Sequence, residues 1–146
     1  MEISIACAKA VRRLTGPGPL DAEAVCALYG VEVDTWHFRK NLEALYASGS
    51  IAVKLGLARP VREHRILHEL GHHLIHGDHS GVRFWSTRDA QMLSKAEHQA
   101  EMFAYFVALP SNELAVLLRG RVEIEEIASR YTRTEEWVRE RIRLEG

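Results

Sequence analysis

Hydrophobic residues from 3 to 14 recur at helical spacing, and Gly16-Pro17-Gly18-Pro19 stops that helix. A second helix is predicted from Asp21, a good N-cap residue, to Tyr29, with Gly30 at its C-terminal end. The period then changes. Val31, Val33, Thr35 and His37 alternate with other residues and are largely β-branched, which predicts a strand. Residues 44–47 and 51–55 flank Ser48-Gly49-Ser50, a turn signal, so a hairpin and a sheet of about three strands are expected. Pro60 suits a first helical turn, and that helix runs to His76 before Gly77, about 25 Å at 1.5 Å per residue. Residues 77–93 are polar and irregular. Ser94-Lys95-Ala96-Glu97 opens another helix that Pro110 ends, and residues 113–118 predict a short one. Residues 124–131 and 135–144 predict a final helical pair joined by Thr132-Arg133-Thr134. The order, helices then strands then helices, is that of an α+β domain, and 146 residues suit one domain.

Composition adds exclusions. Nineteen Lys and Arg against twenty Asp and Glu leave a net charge of −1, which argues against a protein held on DNA by bulk charge. No apolar run approaches the length of a membrane span, and the N-terminus lacks the pattern of a secretory signal. A cytoplasmic location is therefore expected. Cys7 and Cys26 form no CxxC and read as reduced, core-facing thiols. The anomaly is histidine, since five of eight fall between residues 68 and 79.

Residues 68–72 read His-Glu-Leu-Gly-His. On a helix, positions four apart share a face, so His68 and His72 can both aim a ring nitrogen at one metal ion. Zinc is the natural ion, although other divalent metals accept similar ligands. Glu69 would sit beside such an ion and act as general base towards water that the metal makes acidic. Gly71 in the helix interior costs about 1 kcal/mol against alanine, which a close-packed neighbour would explain.

An open zinc site needs a third protein ligand. A third histidine ten residues after the first is excluded, because Asp78 stands there. A glutamate from the next predicted helix is the remaining pattern. Glu97 is the expected ligand, with Glu101 one turn on, either orienting a histidine or serving as reserve ligand. A competing role exists for Glu97, because Ser94-x-x-Glu97 also spells a capping box. His76 drifts off the 68–72 stripe on an ideal α-helix, and His73 points about 100° away. His79 and His98 read as solvent-facing and Asp78 as a turn residue. Tyr46 and Tyr105 are candidate oxyanion donors, with packing the commoner role for each.

These segments resemble a known family. Arg65-Ile-Leu-His-Glu-Leu-Gly-His-His73 is similar to the active-site helix of ImmA/IrrE-type metallopeptidases, and Glu97-His-Gln-Ala-Glu-Met-Phe-Ala-Tyr-Phe-Val-Ala-Leu-Pro110 to their second signature. The likeness covers roughly residues 22–144. It implies a zincin-like α+β core, zinc held by His68, His72 and Glu97, and Glu69 as general base. It also implies a protein substrate, a helix-turn-helix transcriptional repressor of a phage, mobile element or stress regulon. One departure stands out, since Glu101 replaces the family's usual Asn or Asp.

The C-terminal pair itself reads as a helix-turn-helix, but residues 119–145 hold seven Arg and seven Glu, so DNA contact is not expected. In zincin-type sites the substrate strand lies on a sheet edge, and residues 51–55 are the expected edge. Two other readings remain, a metal-containing partner that binds a repressor without cutting it, and a DNA-binding regulator with structural zinc.

Overall fold

The computed structural model describes residues 1–38, 42–77 and 90–146. Helix α1 (Glu2–Thr15) and helix α2 (Ala22–Leu28) precede strand β1 (Glu32–Trp36) and the hairpin of β2 (Ala44–Ala47) and β3 (Ser50–Lys54). Helix α3 (Arg59–Gly71) passes without a break into a π-helical turn, His72–His76. Helices α4 (Ala90–Ala108), α5 (Ser111–Arg119), α6 (Ile124–Tyr131) and α7 (Glu135–Glu145) follow. The architecture is α+β, as the order of patterns predicts.

Local chemistry accounts for the boundaries. Asp21 caps α2 by accepting the Glu23 amide, and buried Glu63 accepts the Ala22 amide from across the fold. Ser48 and Gly49 both have positive φ, the backbone that a two-residue type I′ hairpin turn demands. Arg12 ends α4, because its guanidinium donates to the Val107 and Ala108 carbonyls while also holding those of Gly16 and Gly18. Thr134 caps α7 by accepting the Trp137 amide.

The sheet order corrects one expectation. β3 pairs with β1 in parallel and with β2 in antiparallel, so residues 51–55 lie in the centre, and β1 and β2 are the edges. The physical reason is burial. Ile51 and Val53 are fully buried against the helices, whereas most of β1 is exposed. A hairpin signal names two neighbouring strands without saying which of them takes a third.

α3 and α4 pack face to face at the centre. Ile66, Leu67 and Leu70 of α3 meet Ala100, Phe103, Ala104 and Val107 of α4, all without solvent exposure. Each buried Leu, Ile or Phe contributes roughly 2 kcal/mol of transfer free energy. A Cβ on Gly71 would sit 2.9 Å from the Phe103 ring and 3.2 Å from the Ala100 backbone, so this crossing admits only glycine without movement. Among the described residues, no single helix is long and apolar enough to cross a membrane. Only the bent pair of 94–108 and 111–119 passes that test, and much of its first limb is the core just described.

Candidate metal centre

α3 and the π-helical turn that continues it place His64, His68 and His72 one turn apart, and all three are buried. The His68 and His72 rings meet edge to face, 5.0 Å between centroids. One ligand atom from each of His68, Glu69 and His72 lies within 4.8 Å of the others. α4 runs alongside and brings up Glu97, whose Oε2 is 3.6 Å from His68 Nε2 and in direct contact with His72 Nε2. Two imidazole nitrogens and a carboxylate oxygen thus converge from two helices. Ligands about 2.1 Å from a tetrahedral zinc stand roughly 3.4 Å apart, so the His68 to Glu97 spacing suits such an ion, whereas His72 and Glu97 touch and would have to part to admit it. The donor set itself, neutral imidazoles plus a carboxylate, is one that a divalent metal takes.

The far nitrogens are also engaged, and this decides which nitrogen each ring turns towards Glu97. His68 Nδ1 lies 2.8 Å from Glu101 Oε1, so Nδ1–H donates and Nε2 is left towards Glu97. His72 Nδ1 lies 3.1 Å from His76 Nδ1, and His76 Nε2 lies 2.9 Å from Gln99 Oε1. The Gln99 oxygen can only accept, so His76 donates through Nε2 and accepts from His72 through Nδ1. The π-helical turn makes this contact available. An α-helix would carry His76 away from the stripe, whereas a wider turn brings it back beneath His72. His76 accordingly meets a histidine rather than facing Glu97.

Electrostatics set the protonation states. The His68 and then the His72 imidazole beside it hold the Glu97 carboxyl well below the usual range. Burial pushes Glu101 up, but the bonds from His64 and His68 outweigh it and keep this carboxyl low as well. Burial pushes His68 down, yet its bond to Glu101 and the nearby Glu97 carboxylate raise it to about 9. Glu69 is different. Burial raises its pKa, partly offset by His68 and His72.

Other candidates find other partners. The Tyr46 hydroxyl shares a 2.6 Å hydrogen bond with His73 Nδ1 and accepts the Gly49 amide, which ties β2 to the metal helix. Tyr105 stacks on Trp137, 4.9 Å between centroids, with His64 against its edge. Both tyrosines are thus engaged in packing and bonding. His98 is exposed on α4. Asp78 and His79 lie outside the described residues.

The capping-box alternative for Glu97 is overturned. α4 begins at Ala90, so Ser94 lies inside the helix rather than at its start. Sequence reasoning passed over His64, which continues the four-residue stripe backwards from His68 and could have been found that way. It had no signal for Gln99 or Trp137, which meet their histidines only through tertiary packing.

Comparison with known proteins agrees with this geometry. A search of curated proteins returned no match. The profile of the IrrE N-terminal-like domain, Peptidase M78, matches residues 25–143. That span takes in the histidine helix, the carboxylate helix and the C-terminal pair together, and the chain belongs to this metallopeptidase family.

Proposed function

We propose that this protein is a zinc-dependent endopeptidase that hydrolyses a peptide bond in a regulatory protein, a helix-turn-helix repressor. The family makes the function metallopeptidase-type. The observation that carries the finer reading is the convergence of His68 Nε2, His72 Nε2 and Glu97 Oε2 beside the half-buried Glu69 carboxyl. The substrate class follows from the resemblance in the two signature segments.

His68, His72 and Glu97 would hold the ion. When bound, a divalent metal acidifies water and polarises the scissile carbonyl. Glu69 takes the proton from the attacking water on its carboxylate and returns it to the leaving amine. Its Oε2 lies 3.9 Å from His68 Nε2, so the base stands next to the donor atoms without replacing one. Burial raises its pKa, which favours holding the proton until it is returned.

The substrate strand adds to the outer edge of β2. Glu43 just before β2 pairs with Arg65, and Tyr46 within it bonds His73. Arg65, Glu69 and His73 are spaced by four along the metal helix, so this edge borders the face that carries the base. DNA is not the partner of α7 in this reading. Arg141 is buried, while Arg139 and Arg143 pair with Glu135 and Glu140 on the same helix.

The test combines metal content with cleavage of a panel of helix-turn-helix repressors. Wild type binds one zinc per chain and cuts its substrate. His72→Ala and Glu97→Ala lose the metal with the fold intact. Glu69→Gln keeps the metal and abolishes cleavage. A wild-type protein that stays metal-free in excess zinc sinks the proposal, and metal loss in Glu69→Gln sinks the role given to that residue.

A further inference from the structure

His64 lies outside the converging donor atoms, yet both its ring nitrogens are committed. Trp137 Nε1 of α7 donates to His64 Nδ1 at 2.9 Å. His64 Nε2 lies 2.8 Å from Glu101 Oε1, the same oxygen that bonds His68 Nδ1. An indole N–H can only donate, so His64 Nδ1 must present a lone pair. That excludes the imidazolium and the Nδ1–H tautomer, and puts the single proton on Nε2, facing Glu101. The direction of every bond in the row Trp137, His64, Glu101, His68 is thereby determined. It ends on His68 with Nδ1–H as the donor and Nε2 turned towards Glu97.

The row answers a mechanical need. Glutamate has one more rotatable bond than aspartate, and Glu101 is partly exposed. A single hydrogen bond from His68 would leave its carboxylate free to swing to water. The second donor, His64 Nε2–H, pins it. Without the Trp137 N–H, His64 could adopt the other tautomer and turn a lone pair on the carboxylate instead. The ring positions are held by packing, with Trp137 stacked on Tyr105 and the Arg133 guanidinium 5.1 Å from the indole centroid.

We propose that Trp137 and His64 are positioning residues of the metal centre, so that helix α7 sets the tautomer that orients Glu101 and, through it, His68. The proposal rests on the reading of His68, His72 and Glu97 as ligands. It makes the C-terminal helical pair part of the metal centre's framework, because the row begins on α7.

The test titrates Co(II) into the metal-free full chain and reads affinity and visible absorption. Partners that orient a ligand typically change metal affinity by 10- to 100-fold. Trp137→Phe keeps a stacked ring but loses the donor. It should weaken Co(II) binding about tenfold and alter the absorption bands, which report ligand geometry rather than stability. His64→Leu should do the same. His64→Gln, which restores one donor and one acceptor, should recover most of the loss. Combining Trp137→Phe with His64→Leu should cost no more than His64→Leu alone, because the two act in one row. Nitrogen-15 spectra of the metal-free protein should show His64 protonated at Nε2 in wild type and mixed in Trp137→Phe. Wild-type affinity and bands in folded Trp137→Phe and His64→Leu overturn the proposal while His72→Ala still abolishes binding. Wild type that takes up no Co(II) overturns the ligand reading itself and this inference with it.

Discussion

Gly71 shows how one missing methyl group shapes the centre. Its Cα faces the Ala100 backbone and the Phe103 ring, and the closest approach for an added Cβ is 2.9 Å. Gly71→Ala gains helix propensity of about 1 kcal/mol but must push α3 and α4 apart. Overpacking of this kind costs about 1–3 kcal/mol, so a net loss in the urea unfolding midpoint is expected. A more stable Gly71→Ala protein would mean that the two helices slide easily. Cys26 makes a second test at this scale. Burial, with help from Glu23, Glu63 and Asp21, pushes its thiol up to about 12. The reactive species is the thiolate, so at pH 8 an alkylating reagent should leave Cys26 unlabelled until denaturant is added. Rapid labelling of Cys26 in the native protein would contradict its place in the core.

Elements decide where donor groups land. α3 followed by a π-helical turn keeps His68, His72 and His76 in register, and α4 supplies Glu97, Gln99 and Glu101 from the facing side. This explains why an α-helical wheel misjudges His76, since the wheel assumes a constant twist. The start of α4 matters equally. Were Ser94 an N-cap, Ser94→Ala would cost about 1 kcal/mol. Four residues into the helix and exposed, it should cost nothing measurable, since alanine is the better helix former there. Thermal unfolding distinguishes the two, and a clear loss would restore the capping reading. The hairpin was legible because Ser48-Gly49 satisfies a strict backbone demand. The position of β3 between its neighbours was not, because strand order depends on which face the helices cover.

At the scale of the molecule, α7 is docked by a buried cation. Arg141 has no exposure, donates to the Leu109 carbonyl at 2.8 Å and to Glu145 at 2.7 Å, and lies 3.9 Å from the Phe106 ring centroid. Arg141→Leu removes these bonds and strands the Leu109 carbonyl, with an expected loss on the order of 3 kcal/mol. A denaturant titration followed by tryptophan fluorescence would show it, and an unchanged midpoint would show that α7 docks by other means. The proposed metal would act on the same whole. An ion that binds only the folded chain stabilises it by about 2.7 kcal/mol at a hundredfold excess over Kd. Adding zinc should therefore raise the unfolding temperature, and a chelator should return it to the metal-free value. No change with zinc would count against the ligand set.

The sequence by itself determined the local decisions. Periodicity and punctuation located the helices and the hairpin, because turn chemistry and helix stops act within a few residues. The spacing of His68 and His72 put them on one face, because that relation is internal to a helix. Tertiary structure alone decided the rest. Which carboxylate reaches the histidines depends on how α4 lies against α3, and that follows from Gly71, Ala100 and Phe103 meeting face to face. Which nitrogen of His68 turns to Glu97 depends on Glu101 from α4, and the tautomer of His64 on Trp137, 73 residues away in the chain. Hydrogen bonds across such separations have no sequence period, so they exist only once the core has closed around them.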